Sequence, residues 1–335
     1  MFSSRKMDGE RISGLQIALV FEERQTYLQL GYSEEQCAAL THDGEVQAVL
    51  ASLQRLGHYV TLIPGISFLV KLLATGHYQD WDLVFNMAQG FHGSAREAQV
   101  PSLLEAYQIP YTFSDATTMT LCQNKSITKM ILDHYMIPNA PFILMPNLDK
   151  GADSRELNAK MPPYPLFVKP VTEGSSKGID DFNKIRNPKE LKPAILALAS
   201  RCPGQEILVE SFLPGREFTV SILGTGLQGR VIGIREHLWR KSPEHSNING
   251  YHSDLSLDYA CRASKSSTAG KMLIYNDSHD MQEPHIKAMS KVALDAWKVF
   301  NCRDCGRVDI RFDSERPDST PNVLEAIRHY QQQRK

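Results

Sequence analysis

The sequence predicts an α/β fold that is divided into three domains. Its 335 residues exceed what one compact core usually organises. In the first third, short apolar runs alternate with segments of helical periodicity, the pattern of a parallel sheet covered by helices. The last third is richer in closely spaced strands, which indicates a mixed or antiparallel sheet. We therefore predict an N-terminal three-layer domain over residues 1–114, a small central α+β domain over residues 115–205 and a C-terminal domain over residues 206–335.

The N-terminal block opens with a continuous apolar run, Leu15–Phe21, which predicts a buried strand. Apolar residues at helical spacing predict a helix over Asp43–Leu56, and Gly57 marks its end. The remaining elements are two short strands and an intervening helix, at Tyr59–Ile63, Leu83–Asn86 and Phe68–Ala74. Strands that alternate with helices in this way predict a parallel sheet.

The two later blocks differ in their balance of helices and strands. In the central block we predict a helix, two strands and a second helix, at Lys125–Tyr135, Phe142–Met145, Leu166–Lys169 and Pro188–Arg201. In the C-terminal block we predict one long helix and several strands, at Glu283–Phe300 and at Ile207–Phe212, Glu217–Leu223, Arg230–Glu236, Arg307–Phe312 and Asn322–Ile327. The segment Lys241–Asp280 is polar with weak periodicity, so we expect loops there, with one strand near Leu257–Arg262.

Composition and charge exclude several classes of partner. The chain is 42% hydrophobic and 22% charged with a net charge of -1, so it lacks the basic excess that nucleic acids or anionic membranes attract. Its first apolar run is far too short to span a bilayer or to serve in a signal peptide. The six scattered cysteines indicate reduced thiols. We therefore expect a cytoplasmic protein that binds neither nucleic acid nor membranes.

Two familiar motifs do not carry the function. Cys302 and Cys305 form a CxxC pair, but no second pair follows to complete a structural zinc site. Gly224, Gly226 and Gly229 match the GxGxxG dinucleotide fingerprint, which works only where a strand turns into a helix. Here strand-like segments flank the glycines on both sides, so they predict a hairpin turn. A Walker A loop and an HExxH motif are absent from the sequence, so P-loop and zinc-protease functions are not expected.

A first candidate site lies around Lys169, at the end of a predicted buried strand. A small-residue loop that contains Glu173, Ser175 and Ser176 follows it. One fixed cation beside several backbone N–H groups suits a polyphosphate lying under a flap. A solvated lysine before an ordinary turn would give the same local pattern.

A second candidate lies where one predicted strand ends and the next begins. Glu210 and Leu213 precede this turn-over and Glu217 follows it. Such a segment can present backbone groups to an adenine edge and a carboxylate to ribose hydroxyls. Taken alone, Glu217 fits an ordinary acid on a strand face better than a ribose-binding acid.

A third candidate lies in the last predicted hairpin. The strand period of two places Arg307 and Asp309 on one face, and Glu325 lies in the partner strand. Asp309 and Glu325 are then placed to face one another as hard oxygen ligands for Mg²⁺. A surface ladder of arginine and aspartate would also fit this pattern.

In combination and in this order, the three pieces resemble the ATP-grasp ligases, and within them the D-alanine–D-alanine ligase-like group. The passage from Val84-Phe85-Asn86 to Ser114-Asp115 is especially similar, as is Asn124-Lys125 with the helix after it. The resemblance covers the chain well from residue 83 to residue 326 and only loosely before that. The fold it implies is the ATP-grasp fold, with a parallel-sheet N-terminal domain, a small central α+β domain and a C-terminal domain with a mixed or antiparallel sheet.

The resemblance also implies an activity, its cofactors and its partners. It implies that a carboxylate is activated by ATP as an acyl phosphate and is then joined to an amine. The implied cofactors are ATP and Mg²⁺ (or Mn²⁺), the substrates are amino acids or similar small molecules, and the assembly is a homodimer.

Individual residues match positions of known role in the family. Those that match nucleotide-binding positions are Lys125 and Lys169 for the phosphates, Glu173, Ser175 and Ser176 for the flap, Glu210 and Leu213 for the adenine hinge, and Glu217 for the ribose. Asp309 and Glu325 match metal ligands. Arg307 matches the arginine that steadies the acyl phosphate and the tetrahedral intermediate.

Two departures from the family pattern affect what we expect. After the metal-binding glutamate the family continues with Asn-Pro and a glycine turn, whereas Ile327 stands at the asparagine position and that segment does not follow. The small-residue loop that holds the first D-alanine is replaced by Phe21–Tyr27, where Glu22 and Glu23 are candidate substitutes at a different spacing. D-alanine as the substrate, and the complete metal site, are therefore left open.

Three functions remain to be compared. The leading hypothesis is an ATP-dependent carboxylate–amine ligase, with Arg240 and Lys241 as candidates for a contact to the γ-phosphate. The second is a nucleotide-binding protein that has lost catalysis, motivated by Ile327. The third is a purely structural α/β protein.

Overall fold

The computed structural model describes residues 14–145, 161–174, 177–179, 181–239 and 273–328. The chain divides into two compact units, of which the first ends at Thr112 and the second begins at Phe113. A further division at residue 205 stays a prediction. The predicted features that lie outside the described residues are Ser175, Ser176, Arg240, Lys241 and the strand near Leu257–Arg262.

The first unit is built on a parallel sheet with the strand order β2-β1-β3. Its strands are β1 (Gln16–Phe21), β2 (Tyr59–Pro64) and β3 (Leu83–Asn86). Its helices are α1 (Arg24–Gln29), α2 (Asp43–Arg55), α3 (Ile66–Ala74) and α4 (Gln99–Ala106). Parallel strands require crossover connections, which the helices between them provide. The parallel sheet expected from the alternation of strands and helices is confirmed.

Burial in this unit follows from the position of β1 at the centre of the sheet. The strand is buried from Ile17 to Phe21 without interruption, as expected where both faces of a parallel sheet are covered. On one face, Ala18 and Val20 pack with Leu69 and Leu73 of α3. The continuous apolar run in the sequence is thus explained by a strand with two buried faces.

Among its described residues, the second unit contains two sheets. The first, which we call the central sheet, has the order β4-β7-β5-β6 and antiparallel pairing. Its strands are β4 (Phe142–Met145), β5 (Leu166–Pro170), β6 (Lys184–Ile185) and β7 (Ile207–Ser211). The helix α7 (Pro188–Arg201) packs on this sheet, whereas apolar residues of α5 (Ala116–Gln123) and α6 (Lys125–His134) belong to the other core of this unit. Leu166, Val168 and Val209 pack with residues of α7, which leaves the opposite sheet face for other contacts.

The second sheet, which we call the C-terminal sheet, is antiparallel and has the order β10-β9-β8-β11-β12. Its strands are β8 (Glu217–Leu223), β9 (Arg230–Trp239), β10 (Leu273–Asn276), β11 (Cys305–Phe312) and β12 (Pro321–Arg328). The helix α8 (Pro284–Val299) packs on one face, where Trp297 joins Phe218, Val220 and Ile310 in a buried core. The alternation of β11 therefore places its charged residues on the face away from α8.

The glycine motif lies in the connection between β8 and β9, which pair in antiparallel fashion. Gly224 has a φ of +114°, and a Cβ there would lie 2.4 Å from the carbonyl oxygen of Gln228. The indole Nε1 of Trp297 donates a hydrogen bond to the Gly224 carbonyl at 2.9 Å. The hairpin expected from the flanking strands is confirmed.

Two strands differ from the sequence expectation. Ile207–Ser211 was grouped with the C-terminal block, but it pairs with β4 and β5 and so belongs to the central sheet. The segment expected to be loops contains β10, which pairs with β9. In both cases the pairing partner is far away in the sequence, so local periodicity does not reveal it. No helix in the described part of the chain has the length and hydropathy needed to cross a lipid bilayer.

Candidate functional site

Lys169 and Glu210 lie on the face of the central sheet that points away from α7. Lys169 pairs with Leu208 and Phe167 pairs with Glu210 in the β5–β7 register, so their side chains share a face. The Lys169 Nζ lies 2.6 Å from the Glu210 Oε1, and both side chains are buried. The predicted strand thus delivers Lys169 into the interior rather than into solvent.

Lys129 of α6 completes a buried group of three charges with Lys169 and Glu210, which we call the charge triad. Its Nζ lies 3.0 Å from the Glu210 Oε2 and also donates to the Asn139 Oδ1 at 3.1 Å and the Ala140 carbonyl at 2.9 Å. The Oε2 atom receives no well-aligned hydrogen bond from the described residues, so the contact from Lys129 is mainly Coulombic. Lys129 is not among the residues predicted from the sequence.

Burial and charge act in opposite directions on the pKa values in the triad. Burial lowers the pKa of the Lys129 ammonium, although the Glu210 carboxylate opposes that shift. Burial alone would raise the pKa of Glu210, but Lys129 and Lys169 outweigh it and hold that pKa below its ordinary value. Glu210 is therefore an ionised carboxylate shared by two ammonium groups.

Lys125 lies at the start of α6, where Asn124 caps the helix by accepting from the N–H groups of Ser126 and Ile127. The Lys125 N–H donates to the Val171 carbonyl at 3.1 Å, which ties the helix start to the loop after β5. The Lys125 Nζ donates to the carbonyl of Glu173, and its side chain is buried. Lys125 and the predicted flap residue Glu173 are therefore in contact.

The Glu173 carboxylate is held from two sides. Its Oε1 accepts from the amide of Gln205 and lies 3.2 Å from the Lys177 Nζ. These contacts fix the carboxylate at the start of the predicted flap.

Leu213, a predicted hinge residue, and Glu217, the predicted ribose residue, lie where the chain passes from β7 of the central sheet to β8 of the C-terminal sheet. Leu213 is buried in the segment that follows β7. Glu217 is buried at the start of β8, and its Oε2 accepts from the Arg311 Nη1 at 2.8 Å. The two are Cα partners across β8 and β11, so Glu217 is anchored by a neighbouring strand.

Arg307 and Asp309 lie together on the polar face of the C-terminal sheet. The Arg307 Nη2 is 3.4 Å from the Asp309 Oδ2. Thr219 of β8, the Cα partner of Asp309, donates its hydroxyl to the Asp309 Oδ1 at 2.7 Å. Val308 and Ile310, which alternate with these residues, are buried in the core against α8. The structure therefore confirms the prediction that Arg307 and Asp309 share one face of β11.

One contact connects the lysine of the central sheet with the acidic hairpin of the C-terminal sheet. The Lys169 Nζ lies 3.4 Å from the carbonyl oxygen of Leu324, the residue that precedes Glu325 in β12. Asp309 and Glu325 are Cα partners across β11 and β12. Lys169, Asp309 and Glu325 thus belong to adjoining parts of the same unit, although the Glu325 side chain lies outside what the structure describes.

The donor set at this place fits the implied metal ion. Asp309 offers a carboxylate, and the register places Glu325 next to it, which is the hard oxygen chemistry that Mg²⁺ prefers. Among the described side chains, which exclude that of Glu325, no group of three or more histidine, cysteine or acidic residues is close enough to hold a metal. Asp309 and Glu325 stay predicted ligands.

Two residues were missed for reasons that can be identified. Lys129 follows Lys125 by four residues, so both lie on one face of a helix, and this spacing was the available signal. Thr219 follows Glu217 by two residues on the same strand face, but a single threonine in a strand carries no signal of its own. Its contact with Asp309 depends on the pairing of β8 with β11.

The chain is similar to known ligases in sequence and in fold. The D-alanine–D-alanine ligase of Xanthomonas axonopodis pv. citri is 27% identical to this chain over 285 residues, which cover 84% of the chain and 78% of that ligase. The crystal structure of the D-alanine–D-alanine ligase from Bacillus anthracis has a TM-score of 0.67 with 20% identity, covering 93% of this chain and 86% of its own. The structure of the same ligase with ATP has a TM-score of 0.64 at 19% identity, covering 93% of this chain and 85% of its own. These likenesses show that the chain has the ATP-grasp fold.

A family model provides the assignment itself. The model of the D-ala D-ala ligase C-terminus matches residues 131–318, which include the charge triad except for Lys129, as well as Arg307 and Asp309. This match spans more than half of the chain. The protein therefore belongs to the D-alanine–D-alanine ligase family.

Proposed function

We propose that this protein is an ATP-dependent ligase that joins two amino acids, or similar molecules, through an acyl phosphate. The observation that carries the proposal is a set of three buried ammonium groups: Lys125 donates to the predicted flap residue Glu173, and Lys129 and Lys169 share Glu210. Buried lysines are rare unless a negative charge compensates them. Glu210 is one carboxylate facing both Lys129 and Lys169, and the phosphates of ATP are suited to compensate the positive charge that is left in this triad.

In the first chemical step both reactants, the substrate carboxylate and the triphosphate of ATP, are negatively charged. A substrate carboxylate oxygen attacks the γ-phosphorus of ATP, the bond to the β,γ-bridging oxygen breaks, and ADP leaves with that electron pair. Lys125 and Lys169 hold the phosphates and reduce the charge repulsion between the reactants. When bound by Asp309 and Glu325, Mg²⁺ would supply further neutralisation of the phosphate charge.

The second step forms the amide. The amine attacks the acyl carbon, an oxyanion develops, and phosphate leaves as the amine loses a proton. Arg307 suits this oxyanion because its guanidinium is permanently charged and presents a planar set of donors. Asp309, 3.4 Å away, holds the guanidinium on the polar face of the sheet.

The identity of the substrates is a separate question. The relatives named above are D-alanine–D-alanine ligases by name, but the segment after β1 departs from that family pattern. Glu22, its first acid, is buried and accepts from the Tyr27 hydroxyl at 2.8 Å and from the Ile66 N–H at 3.3 Å. We therefore propose an amino-acid pair as the substrate class, without assigning D-alanine.

The proposal is tested with the purified protein, ATP, Mg²⁺ and a panel of amino-acid pairs, by following ADP and phosphate release. Release is expected only when a suitable pair is present, and Lys169→Met should abolish it because the phosphates lose their fixed cation. Unchanged turnover in Lys169→Met would contradict the assignment.

The alternative of a nucleotide-binding protein without catalysis is not favoured, because the matching relatives are named as ligases. It would give stabilisation by ATP with no turnover on any pair. We further propose that the enzyme acts in the cytoplasm as a homodimer. The scattered spacing of the six cysteines in the sequence supports that compartment, and sedimentation would test the assembly.

A further inference from the structure

Lys129 is buried and surrounded by protein groups. Of the three N–H donors of an ammonium group, Lys129 uses two on Asn139 and Ala140, and its Nζ also lies 3.0 Å from the Glu210 Oε2. Its side chain is 5% exposed. Lys129 is therefore not arranged to bind a phosphate itself.

Lys169 has fewer contacts with the described protein groups than Lys129 has. Its Nζ contacts the Glu210 Oε1 at 2.6 Å and the Leu324 carbonyl at 3.4 Å. These two contacts leave one N–H donor of Lys169 without a partner among the described residues. This donor is the one that a phosphate oxygen can take.

We propose that Lys129 is a positioning residue that keeps Lys169 available to the phosphates of ATP by sharing the charge of Glu210. This inference rests on the proposed function, because it assigns Lys169 to phosphate binding. Lys129 acts through Glu210 and does not touch the nucleotide.

The reason is the net charge of the triad. Two ammonium groups and one carboxylate have a net charge of +1, which attracts a polyphosphate. Without Lys129, Glu210 and Lys169 form an isolated neutral pair, and the buried carboxylate then competes with phosphate for Lys169 more strongly. Because these groups are buried, solvent screens the competition only weakly. Replacing Glu210 as well by a neutral residue returns the net charge to +1.

The test compares the affinities of ATP and adenosine for the full-length protein, measured by calorimetry in wild type, Lys129→Met, Lys129→Met/Glu210→Gln and Glu210→Gln. Adenosine has the base and ribose but no phosphate, so the ratio of the two affinities isolates the phosphate contribution. In Lys129→Met we expect this ratio to fall about tenfold, the effect of roughly one lost charge interaction. In the double variant the ratio should recover to about the wild-type value, and in Glu210→Gln it should rise above it.

The outcomes separate the inference from the function on which it rests. If wild type does not bind ATP, the proposed function fails. If wild type binds ATP but Lys129→Met keeps the wild-type ratio, or the double variant does not recover, the role of Lys129 is wrong while the proposed function stands. If Lys129→Met does not fold, Glu210→Gln decides, because a ratio equal to or below that of wild type would overturn the proposal.

Discussion

Thr219 orients Asp309, one of the two predicted metal ligands, through a hydrogen bond. Its hydroxyl donates to the Asp309 Oδ1 at 2.7 Å, and the Nε2 of His237 lies 3.0 Å from the same hydroxyl oxygen. A hydroxyl has one proton, and that of Thr219 is donated to Asp309. The Thr219 oxygen is therefore the acceptor in its contact with His237, which donates from Nε2–H. Such partners orient a ligand before the metal binds.

Removing this hydroxyl should weaken metal binding. In Thr219→Val we expect the affinity for Mn²⁺, measured by electron paramagnetic resonance in the presence of ADP, to fall about tenfold. ADP binding without metal should be nearly unchanged, because the change does not reach the lysines. Thr219→Ser keeps the hydroxyl and should behave as wild type. Equal Mn²⁺ affinity in the valine and serine variants would contradict this role.

Glu22 is a second residue whose contacts lead to a prediction. Burial raises the pKa of Glu22 above its ordinary value of 4.5, although the hydrogen bond from Tyr27 opposes the shift. Above pH 4.5 the folded protein therefore retains a proton that the unfolded chain has released. It follows that Glu22 makes the free energy of unfolding decrease as the pH rises through this window.

The variant Glu22→Gln lacks this titration but keeps an acceptor for Tyr27 or Ile66. We expect its free energy of unfolding, relative to wild type, to increase as the pH rises from 4.5 towards neutrality. Urea denaturation at several pH values measures the difference. A difference that is independent of pH would show that Glu22 titrates normally in the folded state.

At the scale of elements, strand alternation and helix periodicity decide which residues can meet. In β11 alternation sends Val308 and Ile310 into the core and leaves Arg307 and Asp309 on the polar face. In α6 a spacing of four brings Lys125 and Lys129 to the same side. Each element therefore contributes one set of residues to the core and another to the site.

The hairpin between β8 and β9 offers a test of an element. Gly224→Ala should lower the free energy of unfolding by about 2 kcal/mol or more, because φ is positive there and a Cβ would meet the Gln228 carbonyl oxygen. Calorimetry of the variant measures the loss. The control is Gly44→Ala in α2, where nothing lies within 4 Å of the added carbon. That change should be neutral or stabilising by up to about 1 kcal/mol.

At the scale of the whole molecule, ligand binding should be visible as stability. ATP at a hundred times its dissociation constant should add about 2.7 kcal/mol to the free energy of unfolding, because it binds only the folded protein. Differential scanning calorimetry with increasing ATP measures this effect. Lys169→Met should lose most of it, since it lacks the cation that we propose holds the phosphates. Full stabilisation of that variant would show that ATP binds elsewhere.

The sequence by itself determined the order and type of most elements in this protein, together with the family. Continuous apolar runs, helical spacing and the period of two are local properties, and they are enough to predict β1, α7 and the two faces of β11. The motif residues Lys169, Glu210 and Asp309 could be recognised because each stands in a local pattern of the family.

Only the tertiary structure decided which of these residues meet. The pairing of β7 with β5 brings Glu210 to Lys169, and the packing of α6 adds Lys129. The pairing of β8 with β11 gives Asp309 its contact with Thr219. These contacts join residues that are far apart in the chain, and their energies depend on burial and register, which no local pattern encodes.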